Sequence, residues 1–204
     1  MHNFLIREQK YYLSIRKVRD KIVHPVAWFL DKIGVTANIV TYSGFLFFIF
    51  FFISLAYQSK WSIFFLFVGL LHDAFDGALS RLQHKDNDKG KFVDMLFDTL
   101  NCSVFLLALI YTNILSNFIG SLFLVVIILA RILRIIYNSQ ILPTDWWFKP
   151  VAGSVSLFLV SSSYFLFVIY YFYPELRINY FFGIFSIIGI LDSLYFYNKI
   201  LKKE

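Results

Sequence analysis

Four aspartates, Asp73, Asp76, Asp94 and Asp98, fall in one stretch of an otherwise apolar chain, DAFDGALSRLQHKDNDKGKFVDMLFD. Separations of three and four residues put the two members of each pair on one face of a helix. A short hydrophilic link over 83–89 joins the pairs. If that link reverses the chain, the two faces converge on a single oxygen-rich site. Such a site suits hard divalent cations such as Mg²⁺, and a substrate diphosphate can share those cations. Carboxylates at membrane depth are costly, so a cluster of them there points to function. Gly77, Arg81 and Gly90 add to the case. Glycine lacks the Cβ that would keep a phosphate or nucleotide away, and arginine offers a planar fork to phosphate oxygens. Any one of these aspartates alone reads as well as a solvated or lysine-paired carboxylate as it does as a site residue, and Asp86 and Asp88 in the link read as solvated.

In order, the residues spell D-x-x-D-G-x-x-S-R, eight residues, then G-x-x-x-D-x-x-x-D. This resembles the signature of the CDP-alcohol phosphotransferase family, D-x-x-D-G-x-x-A-R-x8-G-x3-D-x3-D. It matches at every position except Ser80, where the family has alanine. Seven fixed positions recur by chance in a chain of this length about a few times in ten million at average residue usage. A second stretch, from Thr36 to Gly44, resembles the family's T-P-N-x-x-T-x-x-G entry to its first membrane helix, with Ala37 in place of proline.

The resemblance implies transfer of a phosphate-linked group from a CDP-alcohol to an acceptor hydroxyl, with release of CMP. It implies two Mg²⁺ or Mn²⁺ ions held by Asp73, Asp76, Asp94 and Asp98, with Asp98 also the general base. Gly77, Arg81 and Gly90, with Asp73, fall at positions that shape the CDP pocket, and Asn38 and Thr41 would face the nucleotide or else cap and pack their helix. A homodimer is the family's usual assembly. Thr99 departs from many phosphatidylglycerophosphate-type members, which carry a lysine or arginine there. Arg131, Arg134 and Lys149 are the candidates for an acceptor phosphate, or else anchors that touch headgroups.

The elements that must position these residues are membrane helices. Of 204 residues, 59% are hydrophobic and 16% charged, against about 25% charged in soluble domains, and mean hydropathy is +0.67. The fold class expected is all-α, a polytopic membrane protein of six transmembrane helices with an N-terminal amphipathic surface helix. Residues 1–32 form the juxtamembrane segment, where basic and apolar residues interleave and Pro25 makes a break. Residues 33–204 form the membrane domain. Its spans fall at about 37–57, 61–82, 90–111, 118–137, 151–173 and 179–198. No signal-peptide pattern follows the early charges. Cys102, the single cysteine, reads as a buried packing residue, and His72 as packing beside the site.

An inside N-terminus puts 17 of the 19 lysines and arginines on one face, leaving Lys60 and Arg177 opposite. That places both termini and the active site on the cytoplasmic side of the cell membrane. The positive charge is thereby explained by topology, with no nucleic-acid partner. The function expected is phosphatidyl transfer from CDP-diacylglycerol to a phosphorylated polyol such as glycerol phosphate or inositol phosphate. CDP-choline or CDP-ethanolamine with a diacylglycerol acceptor, and a serine-type acceptor, stay open. A divalent-cation carrier and a membrane scaffold are the readings from other classes. Gly77, Arg81 and Gly90 count against the carrier, which has no use for a phosphate fork.

Overall fold

Long apolar runs can satisfy their backbone away from water only by bonding within themselves as helices or in closed barrels. The computed structural model describes residues 21–83, 88–141 and 155–201, and every regular element in them is an α-helix. These are α1 (21–32), α2 (Ala37–Ala56), α3 (Trp61–Leu82), α4 (Asp88–Tyr111), α5 (Asn117–Ile141), α6 (Val155–Phe172) and α7 (Ile178–Leu201). Helices α2, α3 and α7 and the Val93–Tyr111 part of α4 are long and apolar enough to cross a bilayer. The apolar stretches of α5 and α6, Asn117–Leu133 and Phe158–Phe172, are shorter. The chain is a helical, multi-pass membrane protein.

Two details differ from the sequence reading. Helix α1 runs through Pro25 without a break. Proline there removes one N–H, the one that would reach the Lys21 carbonyl, and the following turns keep theirs. Helix α4 begins at Asp88, so the link between the aspartate pairs is shorter than 83–89 and Gly90 lies within the first helical turn. Residues 1–20 of the expected surface segment lie outside the described residues.

The joint between α1 and α2 is tightly specified. Gly34 takes φ +78, a backbone conformation that costs glycine little. Its N–H bonds the Asp31 carbonyl and the Val35 N–H bonds the Leu30 carbonyl, the paired bonds that close a helix C-terminus. Two residues later the Thr36 hydroxyl accepts from the Ile39 N–H at 3.4 Å and caps α2. Gln83, at the end of α3, donates from Nε2 to Asp31 Oδ1 (3.0 Å) and to the Val35 carbonyl (2.9 Å). The last turn of α3 is thereby fastened to the α1–α2 turn.

Helix α2 packs on both α3 and α4, α5 packs on α7, and α4 meets α5. Phe51 of α2, Phe105 of α4 and Phe167 of α6 meet with ring centroids 5.4 to 5.7 Å apart, all fully buried. Helix α7 turns one stripe inward, Ile178, Phe182, Ser186, Gly189, Ser193 and Phe196, at the three-and-four spacing of a single helix face. The buried hydroxyls of Ser163, Ser186 and Ser193 donate to backbone carbonyls four residues back, those of Leu159, Phe182 and Gly189. At the end of the bundle away from Gln83, the Ser116 N–H donates to Asn179 Oδ1 (2.8 Å) and the Tyr171 hydroxyl reaches the Lys60 carbonyl (3.5 Å). The α2–α3, α4–α5 and α6–α7 turns therefore share that end.

Candidate active site

The first aspartate pair rides on the last three turns of α3, and the second on the opening turns of α4. What holds α3 against α2 here is small-residue packing. A Cβ on Gly44 would lie 2.9 Å from the Cβ of His72, so only glycine lets the two helices approach this closely. His72 itself bonds the Val68 carbonyl through Nδ1 at 2.7 Å and lies against the Phe47 ring. It is a packing residue, as its sequence context suggests.

One turn from Gly44, Thr41 faces α3. Its hydroxyl donates to Asp76 Oδ2 at 2.8 Å, with the Ala37 carbonyl a more distant 3.2 Å alternative. A hydroxyl has one hydrogen, and the shorter, charge-assisted bond to the carboxylate wins it. Asp76 is only 6% exposed, so this bond is one of the means by which a buried carboxylate is compensated. Thr41, which the sequence has facing the nucleotide or else capping and packing its helix, bonds Asp76, one of the predicted metal ligands.

Gly77 follows Asp76 on α3, and Arg81 is partly buried in the last turn. Asp94 and Asp98 are partly buried on α4; with Asp76 and Arg81, none of them lacks an interaction partner. Asp73 and Arg134 have helical backbones on α3 and α5, but their side chains lie outside the described residues, as does all of Lys149. Asn38 is exposed on the first turn of α2. Arg131 is partly buried on α5 and donates from Nη1 to Thr99 Oγ1 at 2.7 Å, immediately after Asp98. Cys102 is buried as expected and bonds Tyr164 of α6. The roles of two residues were not visible in the sequence. Gln83 carried no motif, and Thr99 stood out only as an absent basic residue.

The donor set is all hard oxygen, which fits a divalent cation such as Mg²⁺. Among the described side chains, no three of His, Cys, Asp or Glu stand close enough to hold a metal ion, and Asp73 is outside that set. Two surface hollows, one lined by Phe50, Tyr57, Trp61 and Phe64 and the other by Pro174 to Tyr180, lie at the opposite end of the bundle. They are open and hold none of these residues.

The chain matches the family model for CDP-alcohol phosphatidyltransferase over residues 34–193, which takes in both aspartate pairs and Thr41. Neither a curated protein nor a solved structure matches it. The family match covers well over half of the chain, and with helices suited to the bilayer it leads to one conclusion: this protein belongs to the CDP-alcohol phosphatidyltransferase family, membrane transferases that move a substituted phosphate group from a CDP-alcohol to an acceptor alcohol.

Proposed function

We propose that this enzyme transfers the phosphatidyl group of CDP-diacylglycerol to the hydroxyl of a phosphorylated polyol such as glycerol phosphate or inositol phosphate. The single observation that carries the site assignment is the buried Thr41–Asp76 bond, which fixes a motif carboxylate at the α2–α3 contact. In the reaction the acceptor oxygen forms a bond to the lipid-side phosphorus of the diphosphate. The bond from that phosphorus to the bridging oxygen breaks, and CMP leaves with the oxygen. The acceptor's proton passes to Asp98, the general base in this reading. Arg81 meets the diphosphate with its fork, and Gly77 and Gly90 leave room for the nucleotide, with Asn38 at its edge. Asp73, Asp76, Asp94 and Asp98 would hold two Mg²⁺ or Mn²⁺ ions, which when bound supply neutralisation of the charge that builds on the phosphate oxygens. The acceptor's own phosphate is met by Arg131, with Arg134 and Lys149 as further cations.

In the membrane, six helices (α2 to α7) cross, α1 lies along the cytoplasmic surface, and the active site opens to the cytoplasm, where CDP-activated lipid and soluble acceptor meet. The distribution of lysine and arginine supports this orientation, as does the gathering of the α2–α3, α4–α5 and α6–α7 turns at one end. The functional unit is a homodimer in this reading. The test supplies purified protein with labelled CDP-diacylglycerol, Mg²⁺ or Mn²⁺ and a panel of acceptors, and identifies the lipid formed. Phosphatidyl-polyol phosphate and CMP are the expected products. Turnover only with CDP-choline and diacylglycerol would reverse the donor assignment, and metal flux without CMP would indicate a carrier.

A further inference from the structure

Thr99 accepts a hydrogen bond from Arg131 Nη1 at 2.7 Å and donates its own hydrogen to the Met95 carbonyl at 2.9 Å. With its donor spent on α4 and its acceptor side turned to α5, Thr99 is poorly placed to bind substrate itself. What it does is fix a guanidinium. Thr99 directly follows Asp98, and Cys102, one turn further along α4, lies within electrostatic reach of both Asp98 and Arg131. The cation and the carboxylate thus belong to one region between α4 and α5. An arginine on a membrane helix ordinarily extends its long stem towards the headgroups. Here a neutral hydroxyl on the neighbouring helix holds it inward at a defined angle. A guanidinium presents five N–H donors in a rigid fork, and at this depth the fitting partner for those turned away from Thr99 is an anion.

We propose that Thr99 is a positioning residue that holds Arg131 beside Asp98 as the anchor for an anionic group on the acceptor alcohol. This rests on the transfer reaction proposed above and adds the group that positions its acceptor anchor. The acceptor is an alcohol bearing a phosphate or a carboxylate, not a neutral diacylglycerol. The position of Thr99 in the sequence looks like the loss of a basic residue, whereas the fold supplies that charge from α5.

The experiment uses the purified full chain in detergent. Binding of sn-glycerol 3-phosphate and of L-serine is first measured by calorimetry without donor, for the wild type, Thr99→Val, Thr99→Ser and Arg131→Lys. Transfer from CDP-diacylglycerol is then followed with the same acceptors. Thr99→Val is expected to weaken binding of the preferred acceptor, and to raise its KM, roughly ten- to a hundredfold. The KM for CDP-diacylglycerol should stay within about twofold, a split that a merely loosened bundle would not give. Thr99→Ser restores wild-type values, and Arg131→Lys, which keeps the charge but loses the fork, follows Thr99→Val. Tighter binding of glycerol 3-phosphate identifies a phosphate, and of serine a carboxylate. Wild-type affinity in Thr99→Val or in Arg131→Lys overturns the proposal, as does a wild type that binds neither anion. If binding falls as expected but no acceptor receives a phosphatidyl group, the reaction assignment fails while the role of Thr99 stands.

Discussion

Replacing Thr41 by valine removes one oxygen from the buried contact between α2 and α3 and leaves its shape nearly unchanged. The bond lost is a 2.8 Å hydroxyl-to-carboxylate bond to Asp76 Oδ2. Hydrogen bonds to charged groups contribute about 1.5–3 kcal/mol, equivalent to roughly a 10- to 150-fold change in an equilibrium or rate constant. Little water reaches a carboxylate only 6% exposed, so solvent replaces little of the loss. A second, independent scale agrees: removing a partner that orients a metal-ligating side chain typically costs roughly 10- to 100-fold in affinity or activity. We therefore expect kcat/KM for CMP release from CDP-diacylglycerol to fall by about one to two orders of magnitude in Thr41→Val. The half-saturating Mg²⁺ concentration should rise in the same variant. Thr41→Ser keeps the hydroxyl and gives up one methyl, worth about 1 kcal/mol of packing at most, so it should stay near wild type in activity. Initial rates of CMP release against Mg²⁺ concentration, in mixed micelles, measure both quantities. Equal activity in Thr41→Val and wild type would show that the bond does not set the geometry of Asp76. An equal fall in both variants would show that packing of the methyl, and not the hydroxyl, is what matters.

Gly44→Ala adds a Cβ 2.9 Å from that of His72, so α2 and α3 must separate; overpacking of about 1–3 kcal/mol outweighs alanine's helix preference of roughly 1 kcal/mol. Its thermal midpoint should drop, and its CMP release with it because Thr41 lies one turn away; a midpoint at or above wild type would refute the close-packing argument. Gly189→Ala places its methyl on Val126 Cγ1 at the α5–α7 contact, whereas a methyl on Gly183 meets nothing within 4 Å. Fluorescence-detected melting should therefore show a lower midpoint for Gly189→Ala and an unchanged or slightly higher one for Gly183→Ala. Asp98→Asn removes the proposed base and should slow CMP release by roughly 10²- to 10⁴-fold; a fast Asp98→Asn enzyme would assign the base elsewhere. Chelation with EDTA should abolish CMP release and added Mg²⁺ or Mn²⁺ should restore it, and turnover that persists in chelator would remove the metals from the proposal.

The helices and the motif could be read from the chain because both are local. Apolar runs bounded by Lys60, by Asn113 to Asn117 and by Pro174 to Arg177 fall close to the ends of α2 to α7. The aspartate spacing of three and four is itself a statement about one helix face. The ties that make a site of these parts are not local. Thr41 meets Asp76 across 35 positions, Arg131 meets Thr99 across 32, and Gln83 meets Asp31 across 52. Each depends on how far one helix is rotated and slid against another, and helices that are apolar all round leave that rotation unwritten in their pattern. In α2 the inward face is distinguished by Val40, Thr41, Gly44, Phe48, Phe51 and Leu55, a stripe visible only once its neighbours are known. The small residue Gly44 and the polar Thr41 on that stripe are the nearest thing to a signal. In a helix with so few polar positions, a hydroxyl one turn from a glycine marks the side on which another helix must come close and bring a group in need of a hydrogen bond. Applied to α4, the same reasoning marks Thr99, Cys102 and Ser103, the small polar residues after Asp98, as the side that receives α5 and α6. There the structure places the Arg131–Thr99 and Cys102–Tyr164 bonds. Where polar groups are scarce, their register along a membrane helix says which neighbour it meets, and a motif aspartate gains its specific chemistry from the hydroxyl or guanidinium that the neighbour brings.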